Sequence, residues 1–103
     1  MIYPYAEKQT VLDTPLAKGH LLATSNEREL VLLVLEPNGE VPFHALPIHV
    51  TFFVKKGSGL LKINEHSFEA TEGDILEVAA YDERSWLNNG SNVLELLVIK
   101  AIK

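Results

Sequence analysis

Hydrophobic residues along this chain come in short runs cut by turn residues, not in long helical stripes. Segments rich in Val, Ile, Leu and Phe cover residues 30–36, 48–55, 60–63, 67–71, 75–78, 84–87 and 93–102. Between them lie Glu36-Pro37-Asn38-Gly39, Gly57-Ser58-Gly59, Asn64-Glu65-His66, Glu72-Gly73-Asp74 and Asn88-Asn89-Gly90-Ser91. Proline presets one turn dihedral, and Asn and Gly tolerate positive φ, so each cluster is suited to reversing the chain. Strand-length runs punctuated this closely predict an all-β sandwich or barrel of antiparallel strands. No stretch keeps an apolar i, i+3, i+4, i+7 repeat over three turns, so little helix is expected.

The period within the runs assigns faces. Val50, Phe52 and Val54 alternate with Thr51, Phe53 and Lys55. The first set is expected to face the interior, together with Arg84 and Trp86. Two runs do not alternate: Leu30 to Leu35 is apolar throughout, and Val93 to Ile99 is broken only by Glu95. An antiparallel strand with one wet face should alternate, so the second face of these runs needs a cover. A second copy of the chain is the simplest one, and a homodimer through residues 30–35 and 93–99 is expected. The competing arrangement folds residues 1–25 over that face.

Composition narrows the field. With 103 residues, the chain is read as one domain, residues 1–29 giving an N-terminal segment with the first strands and residues 30–102 the barrel. Hydrophobic residues make up 47%, enough to bury a core and argue against disorder. A net charge of −5, with Lys55-Lys56 as the only basic cluster, argues against a nucleic-acid partner. The absence of cysteine excludes disulfides, thiolate zinc sites and a Cys nucleophile. The longest apolar run, Leu30 to Leu35, is far short of the roughly 20 residues of a membrane-spanning helix. Met1-Ile2-Tyr3-Pro4-Tyr5 has no basic region followed by an apolar stretch, so a cytoplasmic location is expected.

Two stretches carry a recognisable spacing. One runs from Gly39 through His44 and His49 to Gly57, and the other from Gly73 through Arg84 and Trp86 to Asn88. On these residues, 30–102 resembles the cupin family, the small jelly-roll β-barrels that include the RmlC-like proteins. The resemblance implies a barrel holding one divalent ion on two His and a Glu from the first motif and a His from the second. The corresponding positions here are His44, Leu46, Val50 and Arg84, so one ligand of four is in place. Gly39 also stands one residue closer to His44 than the pattern asks, and the second motif's Pro and Gly are Ala79 and Tyr81.

The departures direct the functional reading. Arg84 cannot offer a lone pair to a metal; pointing inward, it would repel a cation and attract a carboxylate or phosphate. Its alternative role is an exposed ion pair with Asp82 or Glu83. Phe52 and Trp86 are candidate apolar walls of a ligand cavity, with Tyr81 on a mouth loop and His44 as a hydrogen-bonding group. Asn88 is expected to shape a turn. His49 is a candidate second metal ligand, although its odd spacing from His44 sends the two to opposite faces unless Pro47 resets the strand. A His44/His49 pair completed by waters and a substrate oxygen would hold Zn, Ni, Cu, Fe or Mn. No nucleophile elbow, phosphate loop or dinucleotide glycine pattern is present, and Ser58 lies in a hairpin turn.

The leading expectation is therefore a barrel that binds a small anionic organic molecule without a full metal site. The alternative is a metal-dependent enzyme of oxygenase or isomerase type using His44 and His49. A third is an interaction domain whose apolar strand faces bind another protein.

Overall fold

The computed structural model describes residues 2–4 and 8–102. Its elements are β1 (Gln9–Thr14), β2 (Ala17–Thr24), β3 (Arg28–Leu35), β4 (Glu40–His44), β5 (His49–Lys56), β6 (Ser58–Ile63), β7 (His66–Thr71), β8 (Ile75–Val78), β9 (Arg84–Leu87) and β10 (Leu94–Ala101). All pair antiparallel, in a larger sheet ordered β1-β2-β3-β10-β5-β8 and a smaller one ordered β4-β9-β6-β7. Among the described residues there is no helix, and so none long and apolar enough to cross a membrane. The all-β, antiparallel architecture expected from the turn spacing is what forms.

The run that is apolar on both faces is the heart of the larger sheet. In β3, Val31 and Leu35 are buried while Leu30, Leu32 and Val34 keep partial exposure on the opposite face. In β10, Leu94, Leu96 and Val98 are buried and Glu95, Leu97 and Ile99 are not. In β5 the buried set is Val50, Phe52 and Val54, as the alternation predicts. β10 lies between β3 and β5, pairing Val98 with both Val31 and Phe52. These inward residues form one core with Leu61 and Ala70 of the smaller sheet and Trp86 of β9.

Residues 8–24 supply β1 and β2, which extend the larger sheet beyond β3 instead of folding across its outer face. A hollow lined by Leu22, Leu32, Val34, Phe53, Lys55, Glu95 and Leu97 lies open on that face among the described residues. Residues 8–24 are thereby corrected as the cover, because pairing satisfies the backbone groups of β3 that a crossing segment would leave bare, and Tyr3 lies beside Leu30 at one end of the face. The portion of residues 1–25 at positions 1 and 5–7 lies outside the described residues. β4 adds a strand where the sequence shows mixed residues and Pro42; its pairing with β9 shifts register between Val41 and His44.

Two turn residues fix how the sheets meet. Gly57 has φ 83°, and a Cβ there would run into the Val93 carbonyl oxygen, so only glycine fits between β5 and β6. Asn88, fully buried, donates from Nδ2 to the Leu35 carbonyl (2.8 Å) and the Asn92 carbonyl (2.8 Å) and accepts from the Gly90 amide (3.0 Å). It ties the end of β9 to the end of β3, as expected of a turn-shaping residue.

Candidate functional site

A cavity of about 450 Å³ opens between the sheets. β9 positions its chemistry. Its pattern is strictly alternate, with Arg84 and Trp86 buried and Ser85 and Leu87 half-buried, so both long side chains point between the sheets. Asn88 anchors the far end of β9 to Leu35, which pairs with Leu94 at the start of β10. β9 therefore runs away from the mouth, and Arg84 lies at the same end of the barrel as Lys100 near the end of β10. Both line the cavity with Phe52, Trp86, His44 and Phe43.

Arg84 is 2% exposed, and its Nε and Nη1 have no hydrogen-bond partner. Neither Asp82 nor Glu83 makes an ion pair with it among the described residues. Burial lowers its pKa from the ordinary arginine value, because a charge taken from water without a partner is disfavoured. A guanidinium nonetheless keeps its charge at neutral pH. Trp86 packs edge-on against Phe52, ring centroids 5.4 Å apart at 69°, and its indole Nε1 is also buried without an acceptor. The unpartnered polar groups on Arg84 and Trp86 are thus donors, and no Asp or Glu is among the walls of the cavity.

His44 pairs with Arg84 across β4 and β9 and stands at the mouth. Its Nδ1–H donates to the Pro42 carbonyl (3.0 Å), leaving Nε2 as the outward group. His49 goes elsewhere. Pro47 lies in the link before β5 and does not reset the strand, so His49 alternates with buried Val50 and sits on the outer side. There its Nε2 meets Glu77 Oε2 at 3.3 Å. The structure does not bring His44 and His49 together, which corrects the paired-imidazole arrangement: regular strand geometry wins. Tyr81 is 76% exposed on the turn between β8 and β9 and is not a wall of the cavity.

The donor set can be tested against a divalent ion directly. Of the positions that would supply ligands, Leu46 and Val50 are apolar, Val50 is fully buried in the core, and Arg84 is a cation. A single imidazole does not make a stable site, and no group of three His, Asp or Glu suited to a metal occurs among the described residues. The residues present do not fit the ion.

Lys100 is the functional candidate that sequence reasoning missed. It continues the inward parity of Leu94, Leu96 and Val98, a signal hidden by treating the last run as apolar on both faces. Val11 and Leu12 were missed too. Both line the cavity because a register shift between Thr10 and Leu12 brings consecutive residues toward it.

Comparison with known proteins fits this geometry. A family model described as the cupin domain matches residues 31–100. No curated protein matches the chain. Among solved structures, a predicted oxalate decarboxylase from Thermotoga maritima superposes with TM-score 0.86 at 16% identity, covering 100% of both chains. An RmlC-like cupin from Shewanella frigidimarina gives TM-score 0.84 at 14% identity, over 96% of this chain and 87% of that one. The polyketide cyclase RemF from Streptomyces resistomycificus gives 0.83 at 14%, over 100% and 80%. At such identities the likeness is one of fold.

Proposed function

We infer function from a settled premise, that this chain belongs to the cupin family, and propose that its barrel binds a small anionic organic molecule. The observation carrying this reading is Arg84: a buried cation with two partnerless nitrogens, facing a cavity of about 450 Å³ walled by Phe52 and Trp86. That volume is within the range of small-molecule sites. An apolar ligand body would pack on the aromatic walls, and its acidic group would replace the water that a lone guanidinium otherwise lacks. Trp86 Nε1 offers a further donor, and His44 Nε2 a group at the mouth able to accept or hold a proton.

The protein is read here as a single-domain, cytoplasmic homodimer joined through the outer faces of β3 and β10. Reading it as a metal-dependent oxygenase or isomerase gains no support from the donor set around His44. The relatives named as a decarboxylase and a cyclase leave catalysis open for a barrel of this shape.

Two dyes test the reading. 1-Anilinonaphthalene-8-sulfonate carries a sulfonate on an apolar frame, and N-phenyl-1-naphthylamine is the same frame without charge. The sulfonate should bind with a fluorescence rise that Arg84→Met weakens by roughly tenfold, the value of a charged hydrogen bond, while the neutral dye is unaffected. Equal losses for both dyes, or none for either, would remove Arg84 as the anion contact.

A further inference from the structure

Lys100 gives the cavity a second cation, from the opposite sheet. It lies on β10 of the larger sheet, while Arg84 lies on β9 of the smaller one, and both line the same cavity. Its cross-strand partners are Val50 on β5 and Glu29 on β3. Glu29 is the nearest acid by register, yet it makes no ion pair with Lys100 and is not among the cavity walls. Among the described residues Lys100 has neither an ion pair nor a side-chain hydrogen bond, although Lys18 and Lys55 both pair with carboxylates. Arg84 is 2% exposed and Lys100 is half-buried, so Arg84 is the more enclosed of the two. A cation as enclosed as Arg84 resists leaving water without a partner, and Lys100 adds a second unpaired cation to the walls of the same space.

We propose that the ligand carries two separated acidic groups on an apolar frame, one held by Arg84 inside the barrel and the other by Lys100 nearer the mouth. This rests on the anion-binding reading of Arg84 and specifies its ligand class. Two separated acids, rather than one doubly charged phosphate, follow from cations that arise on different sheets. Apart from the two cations, Ser85, His44 and the indole of Trp86, the walls are apolar, which favours a hydrocarbon or aromatic spacer over a sugar.

The test is isothermal titration of the full chain with benzoate, isophthalate and phenyl phosphate, in wild type, Arg84→Met and Lys100→Met. Isophthalate should bind at least tenfold tighter than benzoate. Lys100→Met should erase that advantage and leave benzoate unchanged, whereas Arg84→Met should weaken both. Should Lys100→Met fail to fold, Lys100→Arg and the wild-type preference for isophthalate over benzoate still decide the matter. Equal affinities for the two carboxylates, with benzoate still dependent on Arg84, would overturn the second contact and leave the anion site standing. Tightest binding by phenyl phosphate would overturn the separated-acid class. No binding by any of the three at millimolar concentration would overturn both readings together.

Discussion

Arg84 sits where packing alone would favour a hydrocarbon. Its burial without an acceptor costs folding free energy. Arg84→Met should therefore raise the stability of the ligand-free protein by about 1 kcal/mol or more while weakening anion binding. Urea denaturation checks it, and a less stable variant would mean that the guanidinium is satisfied in solution. Asn88 is the opposite case: removing its three hydrogen bonds, one buried and two part-buried, in Asn88→Ala should cost roughly 2–4 kcal/mol, read as a fall in the denaturation midpoint. Tyr81 holds φ 71° at the position where the family pattern has glycine, a left-handed conformation that side chains disfavour. Tyr81→Gly should stabilise by about 0.5 kcal/mol and leave dye binding unchanged, since the ring is outside the cavity. At this scale the sequence revealed Arg84, Trp86 and Phe52 as cavity residues because their faces follow from strand parity, and His44 because it stands at a motif position of the family. Lys100 was hidden because the run it closes is apolar on both faces, which masks its place in the inward parity of Leu94, Leu96 and Val98.

The strands that the sequence makes plain are those buried on both sides or bounded by Gly and Asn turns: β3, β5, β6, β7, β8, β9 and β10. β4 escapes because Pro42 removes a donor and three of its five residues are polar or proline. β1 escapes because it is an edge strand, exposed at five of six positions, where neither face imposes a period. The outer faces of β3 and β10 carry the prediction that belongs to this scale. Leu32 and Leu97 border the open hollow beside Phe53. Leu32→Arg or Leu97→Glu should convert a dimer of this chain to monomer in light scattering at micromolar concentration, because an unpaired charge would be buried at the contact. A wild-type protein of monomeric mass would set the dimer aside.

The molecule as a whole carries a net charge of −5 while its cavity holds two cations and no acid among its walls. The outer surface would thus weakly repel the anionic ligand proposed for the interior. Added salt should raise the association rate of isophthalate slightly, whereas the enclosed contacts are screened much less. A stopped-flow rate that falls steeply with salt would instead place attractive steering at the mouth. Protein purified without a metal-affinity step should carry well under one divalent ion per chain by mass spectrometry, even after incubation with Zn, Ni, Cu, Fe or Mn. One ion per chain would mean that a ligand set forms which the walls of this cavity do not supply.

The place of β10 has a consequence for how the chain comes to be folded. The strand that joins β3 to β5 is the last of the ten to be made. Until residue 101 has emerged, β3 and β5 each present an unpaired apolar edge, and the larger sheet exists only as fragments. Closing it brings together segments more than sixty residues apart, Val31 with Val98 among them, so the contact order is high and folding should be slow. During synthesis on the ribosome the barrel would thus have to complete itself late, with its most aggregation-prone strands waiting for the final one.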